Sequence, residues 1–407
     1  MKIVLSHPTG NQFVRNALLA LYQEDSLLRF YTTVGWSDDS LLTKLAPSGL
    51  RKQLSRRSYP IPAKFIRNSP VREFFRLARP FPFASFREVT IDDVYLDLDR
   101  RVAADLPRLK AMQEATGVFA YEDGALSTLK VARQLGLDRI YELPIGYWRA
   151  GRQIFNEEKE RKPEWESTLT GLKDSPSKLS RKDEELANAD TVICASSFTK
   201  STLELYRGNI PNIEVIPYGA PPPIAFNEVR VERSKRLRLL FVGGLSQRKG
   251  LSYLFDSVDA LGDAVELTVI GRFVSEPPKI LKAHLRKCRY IPTLSHGDIL
   301  RQMREHDLLV FPSLFEGFAL VLLEAMAQGL PCITTPHTAG PDIIDHGRDG
   351  FIVPIRNTAE IVASVRKVLA APALLMAMRE AALAKAAELN WEKYQMRLAC
   401  LLRSRCR

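Results

Sequence analysis

The sequence predicts an α/β protein built from two doubly wound units in tandem. Three observations lead there. Short apolar runs alternate with helix-period segments along the 407 residues, one Pro-rich and charged stretch at 217–236 interrupts that rhythm, and the rhythm then restarts. At about 100–200 residues per domain, the length suits two domains, each large enough to bury a core of its own.

In the first half the strand candidates are 2–6, 28–34, 117–122, 139–144, 191–196 and 213–218. Helical patterns lie between them. NQFVRNALLALYQE (11–24) follows the first strand through a His-Pro-Thr-Gly turn, and 178–189 and 196–206 flank the fifth strand. The interruption, PYGAPPPIAFNEVRVERSKR, carries four prolines and then a charged run, the composition of a linker. Beyond it, strands are expected at 237–244, 265–271, 308–313, 331–335 and 350–354. Helices are expected at 250–261, 296–306, 318–328 and 358–370. The domain boundary falls near 220/221, with the second unit running to about 385. Doubly wound sheets bind ligands beyond the carboxyl ends of their strands, and two facing units place the active site in the cleft between them.

Composition narrows the function classes. The five cysteines are odd in number, widely spaced and without a CxxC, which argues against a disulfide framework or a zinc site. Cys194, Cys288 and Cys332 are expected to pack as small hydrophobes in a reducing cytoplasm. The opening apolar run is too short for a signal peptide, and no stretch approaches the roughly 20 apolar residues of a membrane span. A cytoplasmic protein, at most peripheral on the inner membrane face, is the expectation. The net charge of +11 is uneven: residues 51–87 hold ten bases against the single acid Glu73, with seven aromatics interleaved. Such a stretch suits an anionic lipid surface or another polyanion. No nucleic-acid module is legible, so nucleic acid is not an expected partner.

The strongest motif is LLVFPSLFEGFALVLLEAMAQGLPCITTPHTAGPDIIDHGRDGFIVP, 308–354. A strand ends near Ser313, Leu314 to Gly317 turn, and a helix follows. Amides opening that helix lack intrahelical acceptors and, with the helix dipole, suit a diphosphate. Gly317 is expected to let a ligand approach the backbone. Glu316 sits at the turn. Glu324, eight residues on amid Leu322, Leu323, Ala325 and Met326, is a carboxylate whose neighbours imply burial and therefore a partner.

This segment resembles the signature of glycosyltransferase family 4, retaining enzymes of the GT-B fold, whose pattern reads PSxxEGFGLxxLEAMAxGxPVxxT. The resemblance implies two Rossmann-like domains, a nucleotide-sugar donor bound to the second, and an acceptor bound to the first. It implies Glu316 beside the transferred sugar, Glu324 at the donor ribose, and the amides of Phe318, Ala319 and Leu320 at the phosphates. Ala319 replaces the commoner glycine. FVGGLSQRKG (241–250) is similar to the family's FVGRLxxxKG. Lys249 matches its phosphate-binding lysine, Gly244 stands where its first arginine would be, and Arg248 is the substitute. Two adjacent cations at a strand end can neutralise a diphosphate.

The resemblance also places the nucleobase near TVIGR and YIPTLSHGD, giving Arg272 and Thr293 as candidates. LSHPTGNQFVRN resembles the family's first glycine loop, reduced here to Gly10, where the backbone would approach the donor phosphates or the acceptor; for His7 the readings are a role at that loop or a loop histidine in contact with solvent. YEDGA falls where relatives carry a histidine; Asp123 is the candidate there. Tyr147, Trp148, Arg149 and Arg152 cluster after the fourth strand. Packing against the linker is the leading expectation for them and an acceptor contact the alternative. The C-terminal segment, about 386–407, resembles the helix that crosses back to the first domain.

The expected activity is therefore retaining transfer from a UDP- or GDP-sugar to a glycan, lipid-linked or small-molecule acceptor. Glu316, Lys249, Arg248 and Asp123 carry the chemistry. No Asp-x-Asp stands in a suitable position, so no metal is expected. The rival readings are a non-catalytic nucleotide-sugar-binding protein and another GT-B enzyme such as an epimerase.

Overall fold

The computed structural model describes residues 1–40, 57–77, 89–228 and 235–405. The first unit runs β1 (Ile3–Ser6), α1 (Gln12–Gln23), β2 (Leu27–Thr32), β3 (Trp36–Ser37), β4 (Ser58–Tyr59), β5 (Ile66–Asn68), α2 (Val71–Leu77) and α3 (Ile91–Ala111). It continues with β6 (Gly117–Tyr121), α4 (Leu126–Gln134), β7 (Asp138–Leu143), α5 (Trp148–Arg161), α6 (Pro176–Ala187), β8 (Thr191–Cys194), α7 (Ser197–Thr202) and β9 (Ile213–Val215). The second unit has β10 (Leu237–Val242), α8 (Leu251–Leu261), β11 (Val265–Ile270), α9 (Lys279–Leu285), β12 (Arg289–Ile291), α10 (His296–Glu305) and β13 (Leu308–Phe311). It ends with α11 (Leu320–Ala327), β14 (Cys332–Thr334), α12 (Gly340–Ile343), β15 (Gly350–Ile352), α13 (Thr358–Ala370) and α14 (Pro372–Glu388), and α15 (Trp391–Ser404) closes the chain.

Seven strands form one sheet in the order β5-β2-β1-β6-β7-β8-β9, and six form another in the order β12-β11-β10-β13-β14-β15. Pairing is parallel throughout. Helices cover both faces of a parallel sheet, so central strands read as unbroken apolar runs. Ile3–Ser6 and Leu308–Phe311 are buried at every residue. The strand order reverses between β1 and β6 in the first sheet and between β10 and β13 in the second, the positions where such sheets open a ligand crevice.

The observed strands stop one to three residues short of several expected ends. After β9 and β13 the apolar run continues into turns that are themselves buried, with Tyr218 at 4% and Ser313 at 0% exposure. Burial, not pairing, produced that part of the pattern. Sequence patterning also missed β5, β12 and the small β3–β4 pair. These are short, and β5 and β12 lie at sheet edges, where one flank needs no apolar cover.

The chain crosses between the units twice at one place. The Ala220 amide donates to the Leu389 carbonyl at 2.6 Å, and a Cβ on Gly219 would lie 2.3 Å from the Trp391 amide nitrogen, so only glycine fits the crossing. α15 then packs along α1, with Gln395 donating to Asn16 at 2.8 Å. No single described helix is long and apolar enough to cross a membrane. α13 and α14 together pass that test of length and composition but are bent by 106°.

The basic stretch 51–87 is described at 57–77 only; the remainder lies outside the described residues, as do 229–234 of the expected linker and 406–407 of the C-terminal segment. The described part is built into the first unit rather than standing apart from it. Tyr59 is fully buried, and Arg57 and Arg76 both bind Glu73, at 2.7 and 2.8 Å. Val71, Phe74 and Phe75 of α2 are 56–67% exposed.

Candidate active site

The loops after β10 and β13 meet at the second switch point. Ser246 caps a single 3-10 turn, Gln247–Lys249, by accepting from the Arg248 amide. Gly250 follows at φ 70°, where a Cβ would stand 2.0 Å from the Pro312 carbonyl oxygen. Glycine is required both by the left-handed backbone and by that contact. The two loops are tied together: the Leu314 amide donates to the Arg248 carbonyl at 2.8 Å, and Ser313 Oγ lies 3.0 Å from the same oxygen.

This arrangement places three donors around one carboxylate oxygen. Glu316 Oε1 receives Arg248 Nη1 at 2.9 Å, Ser313 Oγ at 2.8 Å and the ammonium of Lys249. Glu316 is only 6% exposed. Burial alone would raise its pKa, but Arg248 and Lys249 outweigh that and hold it below the usual carboxylate range. Lys249 moves the other way. Burial, against the pull of Glu316, lowers its ammonium to about 8. Its Nζ also lies 4.9 Å from the centroid of the Phe311 ring. The result is a buried cluster of two cations and one anion, with one positive charge in excess while Lys249 is protonated.

α11 begins beside this cluster at Leu320, two residues later than the sequence pattern indicates. Among the described residues, the amides of Phe318, Ala319 and Leu320 have no hydrogen-bond acceptor. Ala319 caps the helix at φ 70°, ψ 69°. That left-handed conformation costs an L-residue roughly 1–2 kcal/mol, which gives a physical reason for glycine being common there. Ala319→Gly relieves that strain but adds unfolded-state freedom worth roughly 0.5–1 kcal/mol. The expected result is equal or higher stability, by up to about 1.5 kcal/mol, in a urea titration. A clear loss would contradict the strain.

The expectation for Gly317 needs correction. A Cβ there would lie 1.8 Å from the Pro144 carbonyl oxygen and 2.8 Å from Ile145 Cα. The first unit, not a ligand, occupies the space over this glycine. Around it, Ser196 Oγ and Thr199 Oγ1 (2.9 Å) donate to the Gly317 carbonyl, and the Gly146 amide donates to that of Glu316 at 3.2 Å. Phe315 packs between Phe155 and Phe198. The EGF turn is thus clamped between the two units.

Glu324 lies on the second turn of α11 with its side chain 18% exposed, 3.8 Å from His296 Nδ1 at the start of α10. Burial raises its pKa and His296 opposes the rise. Arg272 and Thr293, from the loops after β11 and β12, are exposed and joined by a 3.2 Å hydrogen bond. Gly244, after β10, is half-buried, with Val274 Cγ1 3.0 Å from its Cβ position. Arg272, Thr293 and Gly244 thus sit on loops at the carboxyl edge of the second sheet, and Glu324 on the helix that follows β13.

The opposite wall differs more from expectation. His7 is buried rather than facing solvent: it packs edge-on against Phe13, Tyr95 and Tyr121, and burial lowers its pKa to about 4. Gly10 lies against Tyr59, whose ring and hydroxyl stand 3.0–3.2 Å from its Cβ position. Asp123, at φ 75° after β6, points to α6, pairing with Lys182 at 3.3 Å and Lys178 at 3.5 Å. The structure does not bring it into the Glu316 cluster. Among the described residues, the polar partner that Tyr147, Trp148 and Arg149 share lies on α6 and not on the linker. All three bind Asp183 of α6, and Arg149 stacks on Trp148 at 4.2 Å. Sequence reasoning missed Asp183 because one acid within KLSRKDEELANA reads as a solvated helix face. It missed the role of Ser313 although that residue stood inside the motif.

Residues 236–371 match the family model described as glycosyl transferases group 1. That stretch is similar to the family. Among curated relatives, the glycogen synthase of Mycobacterium tuberculosis (strain ATCC 25618 / H37Rv) is 30% identical over 192 residues, covering 45% of this chain and 46% of that protein. The chain spans about half the length of the curated relatives it matches. Among solved structures, the sucrose-phosphate synthase from Thermosynechococcus elongatus is similar with a TM-score of 0.68 at 16% identity, covering 99% of this chain and 98% of that one. HepE of Anabaena, solved in complex with UDP-glucose, has a TM-score of 0.63 at 15% identity, covering 99% and 100%. The two units form a GT-B fold.

Proposed function

We propose that this chain is a group 1 glycosyltransferase that transfers a sugar, with retention, from a UDP- or GDP-sugar. The acceptor is a glycan, lipid-linked or small-molecule hydroxyl compound in cell-surface polysaccharide or glycoconjugate synthesis. The observation that carries the reading is the Arg248–Lys249–Glu316 cluster at the β10/β13 switch point, beside the open amides of Phe318, Ala319 and Leu320. The HepE complex with UDP-glucose makes uridine the first base to test.

In this reading the donor diphosphate takes over the cations that Glu316 now neutralises, and Glu316 turns to the hydroxyls of the sugar. The C1–O bond to the diphosphate breaks and the acceptor oxygen bonds C1 on the same face. The acceptor proton passes to the departing phosphate oxygen. The chain supplies electrostatic stabilisation and positioning. Lys249, Arg248 and the helix amides meet the leaving charge, with no divalent ion in the scheme. Glu324 would hold the ribose, Arg272 and Thr293 the base, and Gly10 and Gly244 the backbone approach to the donor. Asp123 would act only through its α6 pairs.

Thermal unfolding with UDP-, GDP- and ADP-sugars tests the donor. One of them should raise the Tm in a concentration-dependent way; no protection by any would sink the reading. Affinity should also depend on pH. The Lys249 ammonium is held near 8, so UDP binding is strongest below that pH and weakens as the proton is lost above it. Titrations from pH 7 to 9.5 check this, and a flat profile would contradict it.

We further propose a cytoplasmic protein that can dock peripherally on the inner membrane face. Support comes from the exposed Val71, Phe74 and Phe75 beside Arg72. Flotation with anionic vesicles should be salt-sensitive, and equal binding to neutral vesicles would refute it.

A further inference from the structure

We propose that residues 154–168 of the first half position the phosphate-binding turn of the second, with Glu158 and Thr168 as positioning residues for the donor diphosphate; this rests on the reading of that turn given above. The starting observation is Glu158 of α5, a carboxylate with no exposed surface, set in a charged run that reads as a solvated helix. A buried carboxylate needs partners, and all of those found come from the second half of the chain. Gln247 Nε2 donates at 2.7 Å, Tyr253 Oη at 2.9 Å and Arg356 Nε at 2.8 Å.

Thr168 completes the hold. Its Oγ1 accepts from the Gln247 amide at 2.9 Å and donates to the Trp165 carbonyl at 2.7 Å, while its carbonyl accepts from Ser246 Oγ at 2.7 Å. Ser246 and Gln247 immediately precede Arg248 and Lys249. Gln247 Oε1 in turn accepts from the Ser252 amide at 3.0 Å, which fixes the start of α8. Trp165 stacks on Phe255, Lys162 pairs with Asp256 at 3.1 Å, and Phe155 packs on Phe315 of the other turn. The orientation of the two cations is thus set by groups from another part of the chain. Where charge must be met at hydrogen-bond distance, a shift of about 1 Å can cost on the order of 100-fold in rate.

The test compares Glu158→Gln, Thr168→Val and Thr168→Ser with the wild type. Each is titrated with UDP and GDP, and with uridine and guanosine, by ligand-observed NMR. Thr168→Val and Glu158→Gln should weaken binding of the nucleoside diphosphate by about tenfold or more and leave the nucleoside unaffected. Thr168→Ser, which keeps the hydroxyl, should bind like the wild type. Folded variants with unchanged diphosphate binding would overturn the inference, as would equal loss of nucleoside and diphosphate. If Glu158→Gln does not fold, the Thr168 pair decides. A wild type that binds neither nucleoside diphosphate would overturn the reading of the site itself.

Discussion

Glu316→Gln should reduce sugar transfer by two orders of magnitude or more, the scale seen when one preorganised polar contact to a transition state is removed, while leaving nucleoside diphosphate binding intact or tighter. The two effects have one cause. In the unliganded protein the carboxylate neutralises Arg248 and Lys249, so a donor diphosphate must displace it from those cations. The amide at 316 frees them for phosphate and removes the negative charge proposed to face the sugar. The variant should also lose about 1–3 kcal/mol of stability without ligand, because two partly buried cations lose their counter-charge. It should recover much of that loss when UDP is added. Near-normal turnover would contradict the assignment. Loss of UDP binding together with transfer would show that Glu316 supports the turn rather than the chemistry.

Gly317→Ala is the second large effect. The added methyl would meet the Pro144 carbonyl at 1.8 Å, a backbone atom that no side-chain rotation can clear. Overpacking at a buried contact usually costs about 1–3 kcal/mol. Here the strain would separate the EGF turn from the first unit and break the hydrogen bonds from Thr199 and Gly146. Both transfer and the stability of the unliganded protein should fall. The second loss distinguishes the two accounts of this glycine: if it served only a ligand's approach, Ala would leave the unliganded protein unchanged in a denaturation curve.

The second half of the fold was legible because buried parallel strands and a strand–turn–helix anion site leave compact, local patterns. Lys249, Arg248, Glu316 and Glu324 lie within two short segments, so spacing along the chain nearly equals proximity in space. What surrounds them could not be read the same way. Pro144, Ser196, Thr199, Glu158 and Thr168 reach the two turns from more than 70 residues away, and none stands in a pattern of its own. The first half was less legible for a related reason. Its edge strand β5 is a single buried isoleucine followed by two exposed polar residues, and its charged helix α6 turns Asp183 and Lys182 inward. Charge alone does not tell a solvated face from a paired one.

The most direct test of the central claim is a titration of wild type and Lys249→Ala with UDP or GDP, whichever protects the protein from thermal unfolding, and with the matching nucleoside. The account predicts that the wild type prefers the diphosphate strongly, that the preference disappears in Lys249→Ala, and that binding of the nucleoside is the same in both. Equal affinity of the wild type for nucleoside and nucleoside diphosphate, or undiminished diphosphate binding by Lys249→Ala, would contradict a diphosphate site at the β10/β13 switch point.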